Sequence, residues 1–316
     1  MIRKTLSLLL VLCMLLLPAA LAESAPVRVG ALIGPTAMGM VEMMQDKTDA
    51  YDFTLVASPD EIVPLLVKGD LDIAAVPANL GAVLYNNTEG AVKALAINTL
   101  GVLYIAERGD TVHTVSDLKG RTLVTAGKGA TPEYALNYIL RGNGLDPERD
   151  LTIEFKSEHA ECLAAMLQDD SVVAMLPQPF ATVAQTKAED IRIALDLTAE
   201  WDSLQADAEA PSAMITGIAV ARAAFVEQDP EAVARFLADY AESVAFVQQN
   251  VEDAAQLIGA FDIFEVGPAQ KALPYCNIVF IDGADMKARL GGYLAALLEQ
   301  DPASVGGALP GEDFYY

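Results

Sequence analysis

Cysteine and histidine are scarce: there are 3 and 2 of them among 316 residues. Cys13 falls in the N-terminal apolar run, which leaves Cys162 and Cys276, expected to be free, buried and in different halves of the molecule. His159 and Cys162 are an isolated pair three residues apart, and neither His113 nor His159 lies in a predicted binding loop. A zinc site or a cysteine–histidine nucleophile therefore has no support. G-x-S-x-G, H-E-x-x-H and Walker-type sequences are missing as well. No catalytic residue, cofactor or metal is expected. Basic residues are also few, with 20 Lys and Arg against 44 Asp and Glu and a net charge of −24. Such a surface argues against nucleic acid and anionic membrane as partners. It says little about a ligand, because a pocket can be locally positive inside an acidic shell.

What is present begins with a leader. Arg3 and Lys4 precede an apolar run from Leu6 to Leu17, Pro18 ends it, and Ala20-Leu21-Ala22 follows as a small-x-small cleavage site. Residues 1–22 read as a secretory signal peptide, with Glu23 as the mature N-terminus. The run is short for a bilayer span of roughly 20 residues. Lipid attachment at Cys13 is the alternative, although Leu10, Val11 and Leu12 fit it poorly. A periplasmic or extracellular protein is expected. The rest of the chain is too long for one usual core of about 100 to 200 residues and suits two lobes.

The stretch from Leu123 to Leu140 organises the remainder. A strand-like run meets the Gly127-Lys128-Gly129 turn, and Thr131, as N-cap, and Pro132 then open an apolar helix. Strand, glycine loop and helix start form the place where α/β proteins bind small ligands, because free N–H groups there attract a polar or anionic end. The same arrangement recurs. Val27–Ile33 turns through Gly34-Pro35-Thr36 into a helix with Met38, Met40, Met43 and Met44, read as core filling rather than a ligand surface. Ser58 and Glu61 form a capping box, and the helix behind them stops at Gly69. Leu71–Pro77 leads into Ala78 and Asn79, where Asn79 either caps a helix or reaches a ligand. Val172–Leu176 runs into Pro177-Gln178-Pro179, a stiff loop presenting Gln178. The β-α alternation up to Glu107–Asp110, a crossing point, and again from Val115 argues for mostly parallel sheets covered by helices. Trp201–Pro211 reads as an exposed connector, with the single tryptophan in the core or anchoring a loop. Asp229-Pro230 starts a long amphipathic helix.

Several of these segments resemble a known family. They are Lys68-Gly69-Asp70-Leu71-Asp72-Ile73-Ala74-Ala75-Val76-Pro77-Ala78-Asn79, Asp117-Leu118-Lys119-Gly120-Arg121-Thr122-Leu123, the Gly127–Pro132 loop and Leu176-Pro177-Gln178-Pro179-Phe180. Together they look like a substrate-binding protein of an ABC importer, from the nitrate/sulfonate/taurine and thiamine-precursor superfamily. The resemblance implies an α/β, two-lobed, type II periplasmic-binding fold with two hinge strands. Residues 26–107 and 213–316 would form a discontinuous first lobe and residues 108–212 the second. It further implies a monomer that binds ligand between the lobes and delivers it to a membrane permease. Helix-start loops facing the cleft would supply Gly34, Pro35, Thr36, Ala78, Asn79, Lys128, Gly129, Ala130, Thr131, Gln178 and Pro179, with Met214 from a hinge strand. Lys128 suits a sulfonate, carboxylate or phosphate, while Asn79 and Gln178 suit a pyrimidine-like heterocycle. The absence of arginine from these loops speaks against a bidentate oxyanion clamp. Relatives of the architecture that make a thiamine pyrimidine or a menaquinone precursor, and extracellular ligand sensors, are the competing expectations.

Overall fold

The computed structural model describes residues 25–206 and 212–316; the leader, Cys13 and residues 207–211 of the expected connector lie outside them. The first stretch runs β1 (Val27–Leu32), α1 (Pro35–Met38), α2 (Val41–Asp46), β2 (Tyr51–Val56), α3 (Pro59–Lys68), β3 (Ile73–Pro77), α4 (Ala78–Asn87) and β4 (Val92–Leu100). Then come β5 (Leu103–Arg108), β6 (Thr122–Thr125), α5 (Thr131–Gly142), β7 (Thr152–Phe155), α6 (His159–Gln168), β8 (Val172–Pro177), α7 (Phe180–Lys187) and β9 (Ile191–Asp196). The rest is α8 (Leu197–Gln205), β10 (Ile215–Arg222), α9 (Ala223–Gln228), α10 (Pro230–Gln249), α11 (Val251–Ala260), α12 (Val266–Ala272), β11 (Ile278–Ile281) and α13 (Gly283–Gln300).

Two sheets result. One has the order β11-β4-β10-β3-β1-β2 and the other β7-β6-β8-β5-β9. In the first, β1 pairs in parallel with β2 and β3, and β10 is inserted antiparallel between β3 and β4. In the second, β6 pairs in parallel with β7 and β8, and β5 is inserted antiparallel between β8 and β9. The two strands inserted in reverse, β5 and β10, are those the chain lays down after leaving the other sheet; β11 at the edge of the first sheet is antiparallel as well.

The first crossing falls at Gly101–Val102, not at Glu107–Asp110, because all of β5 already pairs in the second sheet. Only glycine fits there. A Cβ at position 101 would stand 2.1 Å from Thr198 Oγ1 and 2.3 Å from Met214 Cε. The return passes through α8, where the sequence suggested an exposed connector. Trp201 on that helix is fully buried, 4.2 Å from the Tyr138 ring and 5.3 Å from that of Tyr293, and its Nε1 donates to Ser212 Oγ at 3.0 Å. Met38, Met40 and Met43 are wholly buried, as core filling requires. Ser58 and Glu61 form the capping box of α3, which stops at Gly69 in the left-handed conformation. Asp229 caps α10 by accepting from Ala232 N–H at 2.9 Å.

A buried carboxylate fastens each reversed strand. Asp72 Oδ2 accepts from Arg28 N–H and Nε at 3.1 and 2.9 Å, and Oδ1 accepts from Arg28 Nη2 and Arg222 Nη2, both at 2.6 Å. Arg222 ends β10, so one carboxylate joins β1, the start of β3 and β10. Glu107 on β5 accepts from Arg192 on β9 and from the Thr111 and Val112 N–H groups at 2.9 and 3.0 Å. Burial alone would raise both carboxyls, but the hydrogen bonds they accept outweigh it and hold both below the ordinary range.

Removing the first of these fasteners should be costly. Asp72→Ala leaves two guanidinium groups without their counter-ion, and we expect a loss of about 3 kcal/mol. That figure is the low end of the range, because both arginines also reach solvent. Urea unfolding measures it, and a loss below about 1 kcal/mol would show that β10 is held by its ladder alone.

Candidate functional site

A cavity of about 430 Å³ lies at the carboxyl ends of β1, β3 and β8, where open α/β sheets bind ligands. Leu32, Ile33, Gly34, Pro35, Thr36 and Pro77 come to it from the first sheet's strand ends. Thr131, Pro132, Pro177, Gln178, Pro179 and Phe180 come from the second's. Thr99, Val102, Leu103 and Thr216 close it where the chain crosses. The cavity is therefore a product of the topology: it fills the gap between two sheets sewn together by β4–β5 and by the start of β10.

Of the residues singled out from sequence, the structure brings Gly34, Pro35, Thr36, Thr131, Gln178 and Pro179 to this cavity. The others lie elsewhere. Ala78, the first residue of α4, is fully buried. Asn79 neither caps its helix nor faces the cavity; its Nδ2 donates to the Ser304 carbonyl at 3.2 Å and its Oδ1 accepts from Thr131 at 3.0 Å. Thr131 is not the N-cap of α5 either. Ala130 occupies that place, and the threonine, first in the helix and buried, ties it to α4. Gly127 takes the left-handed conformation, where a Cβ would meet Pro132 Cγ at 2.8 Å, so the turn closes on its own helix start. That closure points Lys128 and Gly129 outward. Lys128 is exposed, with its ammonium 5.7 Å from the centre of the Phe155 ring, and Gly129 N–H donates to Glu133 at 2.6 Å. Met214 is wholly buried against Gly101.

Hydrogen bonding sets what the cavity offers. Thr36 Oγ1 donates to the Leu32 carbonyl at 2.8 Å, Thr99 Oγ1 to Asn98 Oδ1 at 3.0 Å, and Thr216 Oγ1 to the Leu100 carbonyl at 2.5 Å. Gln178 Oε1 accepts from both the N–H and the hydroxyl of Thr182, at 3.2 and 2.8 Å, and its own N–H donates to the Val102 carbonyl. The wall that sequence reasoning missed includes Thr99, Thr216, His159, Ile263 and Phe264. His159 begins α6 with three residues between it and β7, without the glycine or proline turn that pointed to Thr36 and Thr131; only its place at a helix start could have found it. Its ring lies 5.6 Å from that of Phe180, which meets Phe264 edge-on at 5.5 Å. Beyond that aromatic pair a groove of about 860 Å³ continues between α6 and α7 on one side and α11 and α12 on the other.

Among the described residues no cluster of three His, Cys, Asp or Glu side chains could hold a metal, and Cys162 and Cys276 are free and buried. No helix among them is long and apolar enough to cross a membrane.

The model of the phosphonate-binding periplasmic substrate-binding proteins of ABC transporters matches residues 37–272, well over half of the chain. The chain belongs to that family: it is a substrate-binding protein of an ABC import system. No curated protein matches it in sequence. Solved structures share its fold. An ABC transporter protein from Parabacteroides distasonis has a TM-score of 0.78 at 23% identity, over 93% of this chain and 99% of that one. The periplasmic aliphatic sulphonate binding protein of Escherichia coli gives 0.73 at 16%, over 92% of each. The periplasmic nitrate-binding protein of a Synechocystis gives 0.63 at 13%, over 90% of this chain and 84% of that one.

His159 gives the site a titration signature. Its Nδ1 is buried and has no partner among the described residues, and burial lowers its pKa to about 4. The unfolded chain takes up a proton near pH 6.5 that the folded chain refuses until about pH 4. Stability from this residue is therefore complete above about pH 6.5 and falls by up to about 1.4 kcal/mol per unit as the pH drops toward 4. Urea unfolding at pH 7, 6 and 5 should show that slope in the parent chain and a flatter one in His159→Phe.

Proposed function

We propose that the chain captures a small organic molecule in the cavity between its two sheets and releases it to the permease of an ABC importer. The observation that carries this reading is the shared wall: Thr36 and Pro77 from one sheet and Thr131 and Gln178 from the other line one cleft. Contacts from both sides exist together only when the sides are close, so a ligand favours the closed arrangement by its differential affinity. The moving bodies are lobes built on the two sheets, the first from residues before the crossing at Gly101 and after about residue 213, the second from the residues between. Gly34, Pro35, Thr36, Thr131, Gln178 and Pro179 are the proposed ligand contacts. Residues 1–22 act as the export leader, which places the working protein outside the cytoplasmic membrane as a monomer, where the family operates. The family consists of binding proteins, and the cavity carries no nucleophile–base pair, so binding without chemistry is the reading favoured over an enzyme on the same fold.

Two substitutions separate the cavity from the outer loop. Gln178→Ala should weaken ligand binding by about 1–3 kcal/mol, the cost of removing one hydrogen-bonding partner in a buried site. Lys128→Ala should leave affinity unchanged, since its ammonium lies outside. Calorimetry with a ligand found by thermal shift reads both, and the opposite pattern would move the site to the Gly127–Ala130 loop.

A further inference from the structure

The family's matching model concerns phosphonates and two of its structural neighbours are a sulphonate-binding and a nitrate-binding protein. All three ligands are acceptor-rich oxyanions. The cavity of this chain is poorly made for one. Its lining holds no lysine, arginine, aspartate or glutamate. The nearest lysine in the sequence motif, Lys128, points away and sits over Phe155.

The hydroxyls sharpen the point. Four threonines line the space, and each donates its proton to a protein oxygen: Thr36 to the Leu32 carbonyl, Thr99 to Asn98, Thr131 to Asn79 and Thr216 to the Leu100 carbonyl. Thr99 and Thr131 are all but fully buried, so Thr36 and Thr216 are the more accessible hydroxyls. A carbonyl oxygen can only accept, so what these hydroxyls have left for a ligand is lone pairs. Gln178 is fixed the other way round, since Thr182 occupies its Oε1 and leaves Nε2 as the free donor. His159 adds an imidazole with an unpartnered Nδ1. Around these groups stand Leu32, Val102, Leu103, Ile263 and the rings of Phe180 and Phe264. An oxyanion placed here would find no counter-charge, only the N–H groups of the helix starts and Gln178 Nε2 as donors in a largely apolar cleft, which is costly.

We propose that the cavity is specific for an uncharged ligand with an apolar or aromatic body and several O–H or N–H donors, accepted by the threonine hydroxyls, with one acceptor on the ligand answering Gln178 Nε2. Polar ligand groups that match the buried array bind, and a molecule unable to satisfy it is rejected strongly, because the site's own groups would stay unpaired. This rests on the cavity being the ligand site, and the experiment separates the two claims.

The purified chain, shown to be folded by a cooperative thermal melt, is dialysed to equilibrium against the small-molecule fraction of yeast extract. That fraction is supplemented with equal concentrations of methylphosphonate, ethanesulfonate, cytosine, thymidine and benzyl alcohol. Mass spectrometry then identifies what the protein retains. The expected result is retention of uncharged, donor-bearing compounds, falling at least tenfold in Gln178→Ala, with the two oxyanions excluded. Retention of a phosphonate, a sulfonate or another anion overturns the ligand class while leaving a solute-binding protein in place. Neutral compounds retained equally by Gln178→Ala overturn it by placing them outside the cavity. A folded chain that retains nothing overturns both this inference and the solute-binding reading beneath it.

Discussion

The carboxylate of Asp72, shared by two arginines, is the interaction on which the geometry of the molecule turns. It sits where β10, having come back from the second sheet, must insert between β3 and β4 with its direction reversed. Arg222 at the far end of β10 and Arg28 on β1 both close on it, so three strands are fixed in register from one point. Register is then passed along the strand. Once Arg222 is held, Thr216 near the other end of β10 has only one place to go, and that place is the cavity wall. Glu107 and Arg192 do the same for β5 in the second sheet, whose opposite end supplies Leu103. Buried ion pairs are weak evidence for stability but good candidates for fixing a register. Here the register decides which side chains line the cavity.

That dependence explains what sequence could and could not disclose. The helix starts were legible because each has local grammar: an apolar strand, a glycine or proline turn, then a helix. Thr36, Thr131 and Gln178 were found in that way and do reach one cavity. The misreadings share a physical cause. Asn79 carries the same grammar, but its side chain was claimed by Ser304, more than two hundred residues away, and by Thr131. Lys128 looked apt for an anion because charge is visible in a sequence and direction is not. The left-handed Gly127 that turns the loop back on Pro132 is also what sends Lys128 outward. Thr99 and Thr216 have no loop signal at all; they line the site because the chain crosses there, and crossings are a property of topology.

The Gly-Asp-Leu-Asp-Ile-Ala segment shows how a motif can point to the right family for reasons unrelated to the ligand. Leu71 and Asp72 hold the sheet, with Leu71 contributing a carbonyl to Arg222 at 2.9 Å and Asp72 its carboxylate. None of the segment touches the cavity before Pro77. Segments that set the fold carry no information on what a helix start will bind, so a family likeness resting on them leaves the ligand free to vary. The character of the cavity lies in the hydroxyls and rings of its wall, and most of these become meaningful only when their hydrogen-bond partners are known.

Core packing also decides how such a cavity can be entered. One apolar cluster runs without interruption from α3 and α4 of the first sheet through Trp201 and Tyr293 to Leu123, Leu136 and Ile139 of the second. The outer faces are covered separately, the first sheet by α10 and α11 and the second by α6 and α7, and these two clusters share no member. Parting the sheets on the Trp201 side would expose a fully buried indole stacked on two tyrosines, and aromatic side chains carry some of the largest burial energies in a core. Parting them on the other side breaks the edge-on contact of Phe180 with Phe264, the bond from the Tyr104 hydroxyl to the Tyr275 carbonyl and the packing of α7 on α12, and widens a groove that already exists. The core is thus asymmetric, continuous on the Trp201 side and interrupted by a groove on the other, and the aromatic pair and His159 lie where that groove meets the cavity.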